Sequence, residues 1–295
     1  MPNSFTNLNH TLLAEMALEA FVQNMMALTA FSHNFGEAQI NKGDKVKVAF
    51  VNAADAARDF NGSYVVQDAD AEGLDITIDK RKYVSWGLTT EELANQPQIS
   101  MEMFAKQKGF QLAKAVFQDV MSLVTNSNFG AAVFTGAAGT FDSDDVIDIR
   151  TAVQTAGWPD FMRALILSDA YEGALLKDDA IKDSSKSGST AALREGSTGR
   201  LSGFDLFGSS LIPANGENLV GLATVPDGIL LASRVLLPED QDIVNVETFN
   251  HPETGITLVM RDWFDPDEDT KKRVLEFNYG RRVGNSAGVK RLASS

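Results

Sequence analysis

The residue types that most often carry catalysis or bind metals are few and scattered in this sequence. His10, His33 and His251 share no metal-ligand spacing, and there is no cysteine to supply a thiolate. No Gly-x-Ser-x-Gly, Walker-type or Gly-x-Gly-x-x-Gly motif occurs. A nucleophilic triad of Asp169, His251 and one of several serines has no support in the local sequence. We therefore predict no catalytic residue, no cofactor site and no metal site.

Two acidic stretches have part of the pattern of a calcium-binding loop. Residues 68–73 have the first ligand spacing and the glycine, but Asp75 stands where the loop requires an apolar residue. Residues 265–276 have acidic residues at suitable positions, but Thr270 replaces the glycine and Pro266 intrudes. We interpret both stretches as solvated turns.

Composition narrows the class of protein. The chain has 295 residues, of which 44% are apolar, which predicts one large domain or two smaller ones. Its net charge of −14 argues against general nucleic-acid binding, because phosphate contacts need clustered lysine and arginine. The first basic residue is Lys42, so we predict no signal peptide, and no apolar run approaches the ~18 residues of a membrane span. The absence of cysteine suits a reducing cytoplasm.

The charge is distributed unevenly along the chain. Residues 271–295 contain seven basic residues and one acidic residue, Glu276. One interpretation is a basic strand that pairs with the acidic body of the same chain. Another is a contact with an acidic neighbouring subunit or with nucleic acid. We favour the first, because scattered charges on a strand usually form a solvated face.

Hydrophobic periodicity predicts the elements of the N-terminal part. Residues 12–28 have helical spacing, and this helix needs a surface to lie on, either its own domain or an adjacent subunit. Alternating residues predict strands over 45–52 and 75–86, separated by an excursion that contains the turn signal Asn61-Gly62. A hairpin arm of this length exposes its paired edges unless it lies on a partner. Assembly is therefore the first function to consider.

A long amphipathic helix follows the hairpin. Thr89 and Glu92 fit a capping box, and Pro97 suits the first turn of a helix over 97–125. Its apolar stripe contains Ile99, Met103, Phe110, Ala113, Phe117, Val120, Met121 and Val124. Gly109 within this helix costs about 1 kcal/mol relative to alanine, so we expect a close crossing there.

The rest of the sequence predicts short helices and strands. We predict helices over 142–156, 169–177 and 227–234, and strands over 163–168, 204–207, 219–223, 243–249, 256–264 and 272–279. Ten of the sixteen residues over 184–199 are glycine, serine or threonine, which predicts a mobile loop. The aromatic residues interpreted as core are Trp158, Phe161, Phe204, Phe207 and Trp263.

In this order, the elements resemble a tailed-bacteriophage major capsid protein of the Hong Kong 97-like fold, over nearly the whole chain. The first helix resembles the N-terminal arm of that family, the hairpin its extended loop, and the long helix its spine helix. The patterns at Trp158-Pro159, 203–208, 211–213 and 261–264 resemble passages of its axial and peripheral domains. The resemblance implies an α+β fold in five segments. These are an N-terminal arm over 1–42, an extended loop over 43–86, a peripheral domain with the spine helix over 87–139, an axial α/β domain over 140–242, and returning peripheral strands with a C-terminal tail over 243–295.

The resemblance also implies a function without catalysis. The chain would assemble as hexamers and pentamers into an icosahedral shell around double-stranded DNA, in the bacterial cytoplasm, and become part of the virion. Implied partners are other copies of the chain, a portal, and separate scaffolding or decoration proteins, with no membrane. We predict assembly contacts at Phe21, Phe50, Tyr64, Tyr83, Trp86, Arg281 and Arg282. The alternatives are an encapsulin-like nanocompartment shell and, more distantly, a soluble hydrolase with a flexible lid.

Overall fold

The structure is a computed structural model, and it describes residues 6–39, 44–51, 60–62, 71–89, 91–92, 98–183, 199–236 and 245–295. Numbered along the chain, the strands are β1 Ser32–Gln39, β2 Lys45–Val51, β3 Ala71–Thr77, β4 Lys80–Thr89, β5 Phe134–Thr135, β6 Ala164–Leu167, β7 Arg200–Leu201, β8 Phe204–Gly208, β9 Leu219–Thr224, β10 Ile229–Val235, β11 Asn245–Asn250, β12 Thr257–Asp265, β13 Thr270–Val283 and β14 Val289–Ala293. The helices are α1 Thr6–Met25, α2 Gln98–Met121, α3 Asn126–Phe129, α4 Ser143–Thr155, α5 Asp169–Lys177 and α6 Asp179–Lys182.

The described strands form two large sheets and a hairpin. The peripheral sheet has the order β1-β10-β13-β12-β11, with β4 also paired to β13. It is antiparallel except for β1, which runs parallel to β10, and it packs against α1 and α2. The axial sheet has the order β5-β14-β9-β6-β8-β7 and packs against α4 and α5. The hairpin consists of β2 and β3. This is the α+β architecture that was predicted.

Helix α1 packs on helix α2 of the same chain. At their crossing, a Cβ atom placed on Gly109 would lie 2.2 Å from the carbonyl oxygen of Ala17. Only glycine allows the two backbones to approach this closely. The close crossing predicted at Gly109 is confirmed, and the surface on which the N-terminal helix lies is the subunit's own long helix.

Two chain connections join the sheets and lie against each other. The chain passes from β9 to β10 through a 3-10 turn, Pro226–Gly228, and from β13 to β14 through a second, Ser286–Gly288. The Asn285 N–H donates to the Asp227 carbonyl at 2.7 Å. A Cβ atom on Gly228 would lie 2.8 Å from the Gly288 carbonyl oxygen. The two glycines therefore allow the connections to pack backbone against backbone.

The helix predicted over 227–234 is wrong, because residues 229–234 lie in strand β10, and Asp227 and Gly228 belong to the 3-10 turn before it. Ile229 and Leu231 are buried in the core beneath the helices, whereas Leu230 and Ala232 are buried against the hairpin. A strand buried on both faces has a continuous apolar sequence without alternation, and this pattern does not distinguish it from a buried helix. Strand β10 lies between β1 and β13 in the sheet, where burial on both faces is expected.

The strand predicted over 75–86 is two strands. Strand β3 ends at Thr77 and pairs with β2, whereas β4 begins at Lys80 and joins the peripheral sheet. The Thr77 carbonyl oxygen lies 2.2 Å from where a Cβ on Gly280 would be, so the chain crosses closely over the sheet at this break. The predicted start of the long helix at Pro97 lies outside the described residues. Residues 184–198 of the predicted loop also lie outside them.

Replacing Gly109 with alanine tests the helix crossing. Alanine favours a helix by about 1 kcal/mol, but its methyl group would meet the rigid Ala17 backbone, and overpacking costs about 1–3 kcal/mol or more. We expect Gly109→Ala to lower the free energy of unfolding of the unassembled subunit by about 2 kcal/mol in denaturant titrations. The control is Gly173→Ala in α5, where nothing lies within 4 Å of the added atom and stability should rise. Equal behaviour of the two variants would contradict the crossing.

Candidate assembly surface

The hairpin is fixed at its base to the peripheral sheet. Val46, Ile76 and Ile78 of the base are buried against Leu230 and Ala232 of β10. The base is thus part of the subunit core, and burial of these apolar groups contributes about 25 cal/mol for each Å² removed from water. The direction in which the hairpin leaves the sheet is therefore set by core packing.

Polar contacts at the hairpin base add to this packing. The Arg282 guanidinium donates to the Asp75 carbonyl at 3.0 Å. The Asp75 carboxylate, in turn, lies 3.2 Å from the Lys45 ammonium in an exposed ion pair on the hairpin itself. Exposed ion pairs of this kind stabilise by less than about 1 kcal/mol, so the apolar contacts hold the base.

Two of the predicted contact residues are core residues of the subunit. The Phe21 ring is fully buried and lies 5.2 Å from the Phe277 ring. Trp86 is 9% exposed and meets Phe104 edge to face at 6.3 Å. The prediction that Phe21 and Trp86 contact a neighbouring copy is corrected, because both side chains are enclosed by their own chain. Apolar aromatic character alone does not separate a core position from an interface.

The other predicted contact residues differ in their placement. Tyr83 is 64% exposed on β4, and Arg282 is exposed on the same face of the peripheral sheet. Arg281 is half-buried and pairs with Asp119. Phe50 lies in β2, but its side chain is outside the described part of the structure, as is the whole of Tyr64. A shared contact role for these residues stays a prediction.

Four of the seven basic C-terminal residues pair with acidic residues of the same chain, which supports the favoured interpretation. The partners are Asp262 for Lys271 at 3.1 Å, Asp265 for Lys272 at 2.7 Å, Asp119 for Arg281 at 2.6 Å and Glu217 for Arg291. The hydrogen bond from Lys272 lowers the pKa of the Asp265 carboxyl. The stretch over 265–276 that resembled a calcium loop thus has its first acid paired with a lysine.

Glu276 is a fully buried acid held by two arginines from flanking strands. Its carboxylate accepts from Arg261 of β12 at 2.7 Å and from the Arg81 Nε of β4 at 3.0 Å. The Arg261 guanidinium also donates to the Leu236 carbonyl at 2.9 Å. A buried carboxylate requires this compensation, because transfer of an unpaired charge into the interior is strongly unfavourable. The trio therefore fixes β4 and β12 to the central strand β13.

A second polar cluster ties the long helix to the peripheral sheet. The Tyr279 hydroxyl donates to Asp119 of α2 at 2.8 Å, and Arg281 donates to the same carboxylate at 3.0 Å. Burial, followed by the hydrogen bond to Asp119, raises the pKa of Tyr279, so the phenol remains a donor. The C-terminal half of α2 is thereby fixed on β13.

A third cluster joins the axial sheet to the end of α2. Arg291 of β14 pairs with Glu217 and donates to the Gly130 carbonyl at 3.1 Å. Glu217 also accepts from the Asn126 N–H at 2.8 Å, at the start of α3. The Asn215 side chain donates to the Val124 carbonyl at 2.7 Å. These bonds hold the axial and peripheral parts in one arrangement.

A cleft of about 390 Å³ lies between the end of α1, helix α5 and the chain from β8 to Leu211. Asn24, Asp169 and Glu172 line it, and the Glu172 carboxylate fills the space where a side chain on Gly208 would lie. Burial, and secondly the negative charge of Asp169, raise the pKa of Glu172. The carboxylate is therefore less favourable in the folded chain than in the unfolded chain.

Several large apolar residues are exposed where the sequence predicted burial. Met103 and Phe110 of α2 are 69% and 37% exposed, although both belong to the apolar stripe of that helix. Phe161 and Met162 are 64% and 65% exposed, although Phe161 was interpreted as core. The apolar stripe of α2 is wider than the face that the helix buries, and this width could have indicated that Met103 and Phe110 are exposed. Nothing in the local sequence distinguishes the exposed Phe161 from a core residue.

The described ranges contain no cluster of three histidine, aspartate or glutamate side chains with the geometry to hold a metal ion. The acidic stretch over 68–73 is described only from residue 71 onward. Among the helices that the structure describes, none has the length and apolar character needed to cross a membrane.

Solved structures share this architecture, although no protein-family model and no curated protein sequence matches the chain. The capsid of the cyanophage P-SCSP1u has 13% identity and a TM-score of 0.59, over 90% of this chain and 86% of that one. The mature capsid of bacteriophage PhiM1 has 14% identity and a TM-score of 0.57, over 90% and 86%. A virus-like particle from Pyrococcus furiosus has 14% identity and a TM-score of 0.50, over 95% and 97%.

At these identities the similarity establishes the fold. The chain has the Hong Kong 97-like fold found in capsid proteins of tailed phages, which confirms the fold that the sequence resemblance predicted.

Neutralising Glu276 tests the buried ion cluster. Glu276→Gln leaves the Arg81 and Arg261 guanidinium groups without a counter-charge, and breaking such a cluster costs about 3–5 kcal/mol. We expect a loss near 3 kcal/mol in the free energy of unfolding, because Arg81 is half-exposed and regains water. The control, Glu268→Gln, removes an exposed partner of Lys272 and should cost less than about 1 kcal/mol. A similar small loss for both would show that the cluster is not a structural tie.

The raised pKa of Glu172 predicts a pH dependence of stability. Between the ordinary pKa of glutamate in the unfolded chain and the raised pKa of Glu172 in the folded chain, the unfolded chain has released this proton while the folded chain still holds it. Over this range, the contribution of Glu172 to the free energy of unfolding falls as pH rises. Glu172→Gln should therefore be more stable than wild type at pH 7 and similar to it in acid. Glu253→Gln, which makes the same change at an exposed position, is the matched control. Denaturant titrations over a pH series measure this difference, and parallel profiles for all three proteins would refute it.

Proposed function

We propose that this chain is the major capsid protein of a tailed bacteriophage. It self-assembles as hexamers and pentamers into an icosahedral shell that encloses double-stranded DNA. One observation carries this proposal: the fold agrees with phage capsid structures over about nine tenths of the chain. A likeness confined to one sheet would carry far less weight.

The physical properties of the subunit suit a shell. The hairpin base and the two sheets are held by core packing and internal ion pairs, so several separate surfaces keep fixed relative directions. In a closed shell many weak contacts act together, and identical chains in rings make heterologous contacts that close by rotation. Rigid placement of the surfaces favours such closure over irregular aggregation.

Internal pairing of the basic residues suits an enclosed genome. Four basic residues of the C-terminal part are paired with acids of their own subunit, so they are not offered to DNA phosphates. The chain as a whole carries a net charge of −14. DNA inside the shell is then enclosed without tight adsorption. A portal and separate scaffolding or decoration proteins complete the particle, which assembles in the bacterial cytoplasm.

The five segments from N-terminal arm to C-terminal tail belong to this proposal. Tyr83, Arg281 and Arg282 of the peripheral sheet, with Phe50 and Tyr64 of the extended loop, are its proposed contact residues. Exposure on the hairpin side of the sheet supports Tyr83 and Arg282. Arg281 also stabilises its own chain, because it pairs with Asp119 of α2.

A protein nanocompartment is the second candidate. The virus-like particle from Pyrococcus furiosus matches over 95% of this chain, which favours a shell without favouring a virus. The two candidates differ in what the shell encloses. A phage shell takes up DNA through a portal, whereas a compartment holds a cargo enzyme.

Negative-stain electron microscopy of the full chain, expressed alone and with a candidate scaffold, tests the proposal. We expect closed particles hundreds of ångströms across. Cargo protein inside them would favour the nanocompartment. A uniform monomer or dimer under both conditions would refute a shell function.

Two variants in β4 refine this test. Tyr83→Asp places a charge on an exposed position, so we expect normal folding by circular dichroism and fewer particles. Trp86→Asp places a charge in the core and should unfold the subunit. Normal particle yield for Tyr83→Asp would remove Tyr83 from the assembly surface.

A further inference from the structure

A short loop of the axial domain presents two large apolar side chains to solvent. This apolar loop, residues 158–163, connects α4 to β6 and has Phe161 and Met162 side by side. They are 64% and 65% exposed. Single exposed apolar residues are common on soluble proteins, whereas adjacent large ones on a projecting loop are a feature of contact sites.

The backbone at Met162 is strained. Its φ of 56° lies in the left-handed region, which costs a residue other than glycine about 1–2 kcal/mol. Such strain persists only where the surrounding structure imposes it. Since the Met162 side chain is itself exposed, the strain is not offset by burial of that side chain. Its effect is to direct Phe161 and Met162 outward.

Buried groups beneath the loop impose this conformation. The Arg163 side chain is 2% exposed and donates to the Pro159 carbonyl at 2.5 Å and to the Trp158 carbonyl at 2.7 Å. The Trp158 indole N–H donates to the Ala287 carbonyl at 2.8 Å, which ties the loop to the connection before β14. The loop is thus ordered before any partner binds, so little entropy is lost when it does.

We infer that the apolar loop inserts Phe161 and Met162 into a second copy of this chain. The inference rests on the proposed shell function and names one of its contacts. Two copies that each carry a charge of −14 repel unless they meet through neutral patches. Asp160, which is 79% exposed, pairs at 3.1 Å with Arg163, which is 2% exposed, and these are the two charged residues of the loop, so its net charge is zero. With no free cation at the tip, a DNA phosphate has nothing to bind there.

Cross-linking from the loop identifies its occupant. The photoreactive residue p-benzoylphenylalanine replaces Phe161 in the full chain, and assembled particles are irradiated. We expect a product of twice the subunit mass that contains this chain alone. A product with another protein or with DNA, or no product from assembled particles, would overturn the inference.

Variants separate contact from folding. Asparagine tolerates the left-handed region, so Met162→Asn should keep or raise the free energy of unfolding of the subunit. It should nevertheless raise the subunit concentration required for assembly about tenfold, as should Phe161→Ser, because a lost apolar contact of about 1.4 kcal/mol corresponds to that factor. The control is Phe264→Ser in β12, 54% exposed, which should assemble normally.

The outcomes distinguish this contact from the shell function itself. Wild-type particles, with both loop variants assembling at the wild-type concentration, would overturn the contact and leave the shell function standing. A wild-type chain that forms no particles with any scaffold would count against the shell function and the contact together.

Discussion

The subunit depends on the place where two connections between its sheets pack against each other. At Gly228 and Gly288 the backbones touch: a Cβ atom on Gly228 would lie 2.8 Å from the Gly288 carbonyl oxygen, and one on Gly288 would lie 3.0 Å from the Gly228 Cα. Because β9 leads into β10 and β13 into β14 at this point, both sheets share the same pair of connections. A shift of one sheet would have to break both crossings. The axial and peripheral parts therefore form one framework on which every exposed surface is mounted.

Internal charge pairing complements this framework. Residues 271–295 contain seven of the 26 basic residues, and four of these seven meet acids on α2, on β12 and on the segment before β9. Glu276 and its two arginines join three neighbouring strands where the sheet is buried. The pairing leaves an acidic exterior, which limits adhesion between copies to neutral or apolar patches. In the proposed shell, that restriction would favour specific contacts over general adhesion.

Helices with clear periodicity were predictable from the sequence, and so was the close crossing at Gly109. The strand β10 was not, because burial on both faces removes the alternation that identifies a strand. Phe21 and Trp86 were assigned to contacts between copies and proved to be core, whereas Phe161 was assigned to the core and proved exposed. Sequence reports which residues are apolar, but the face on which each lies depends on tertiary packing. The buried tie between Glu276 and Arg81 joins residues far apart in the chain, and no local pattern indicates it.

The order of strands in the peripheral sheet also determines when, during synthesis of the chain, the sheet can form. Strand β1 pairs with β10, with Ser32 opposite Leu230, and β4 pairs with β13, with Lys80 opposite Tyr279. Nearly the whole chain must therefore leave the ribosome before the sheet is complete, and pairings of such long range form slowly. An unfinished polypeptide lacks the strand on which its hairpin rests. If the chain forms the proposed shell, the surfaces that meet other copies exist only in the completed fold, so a polypeptide still in synthesis cannot enter a growing particle.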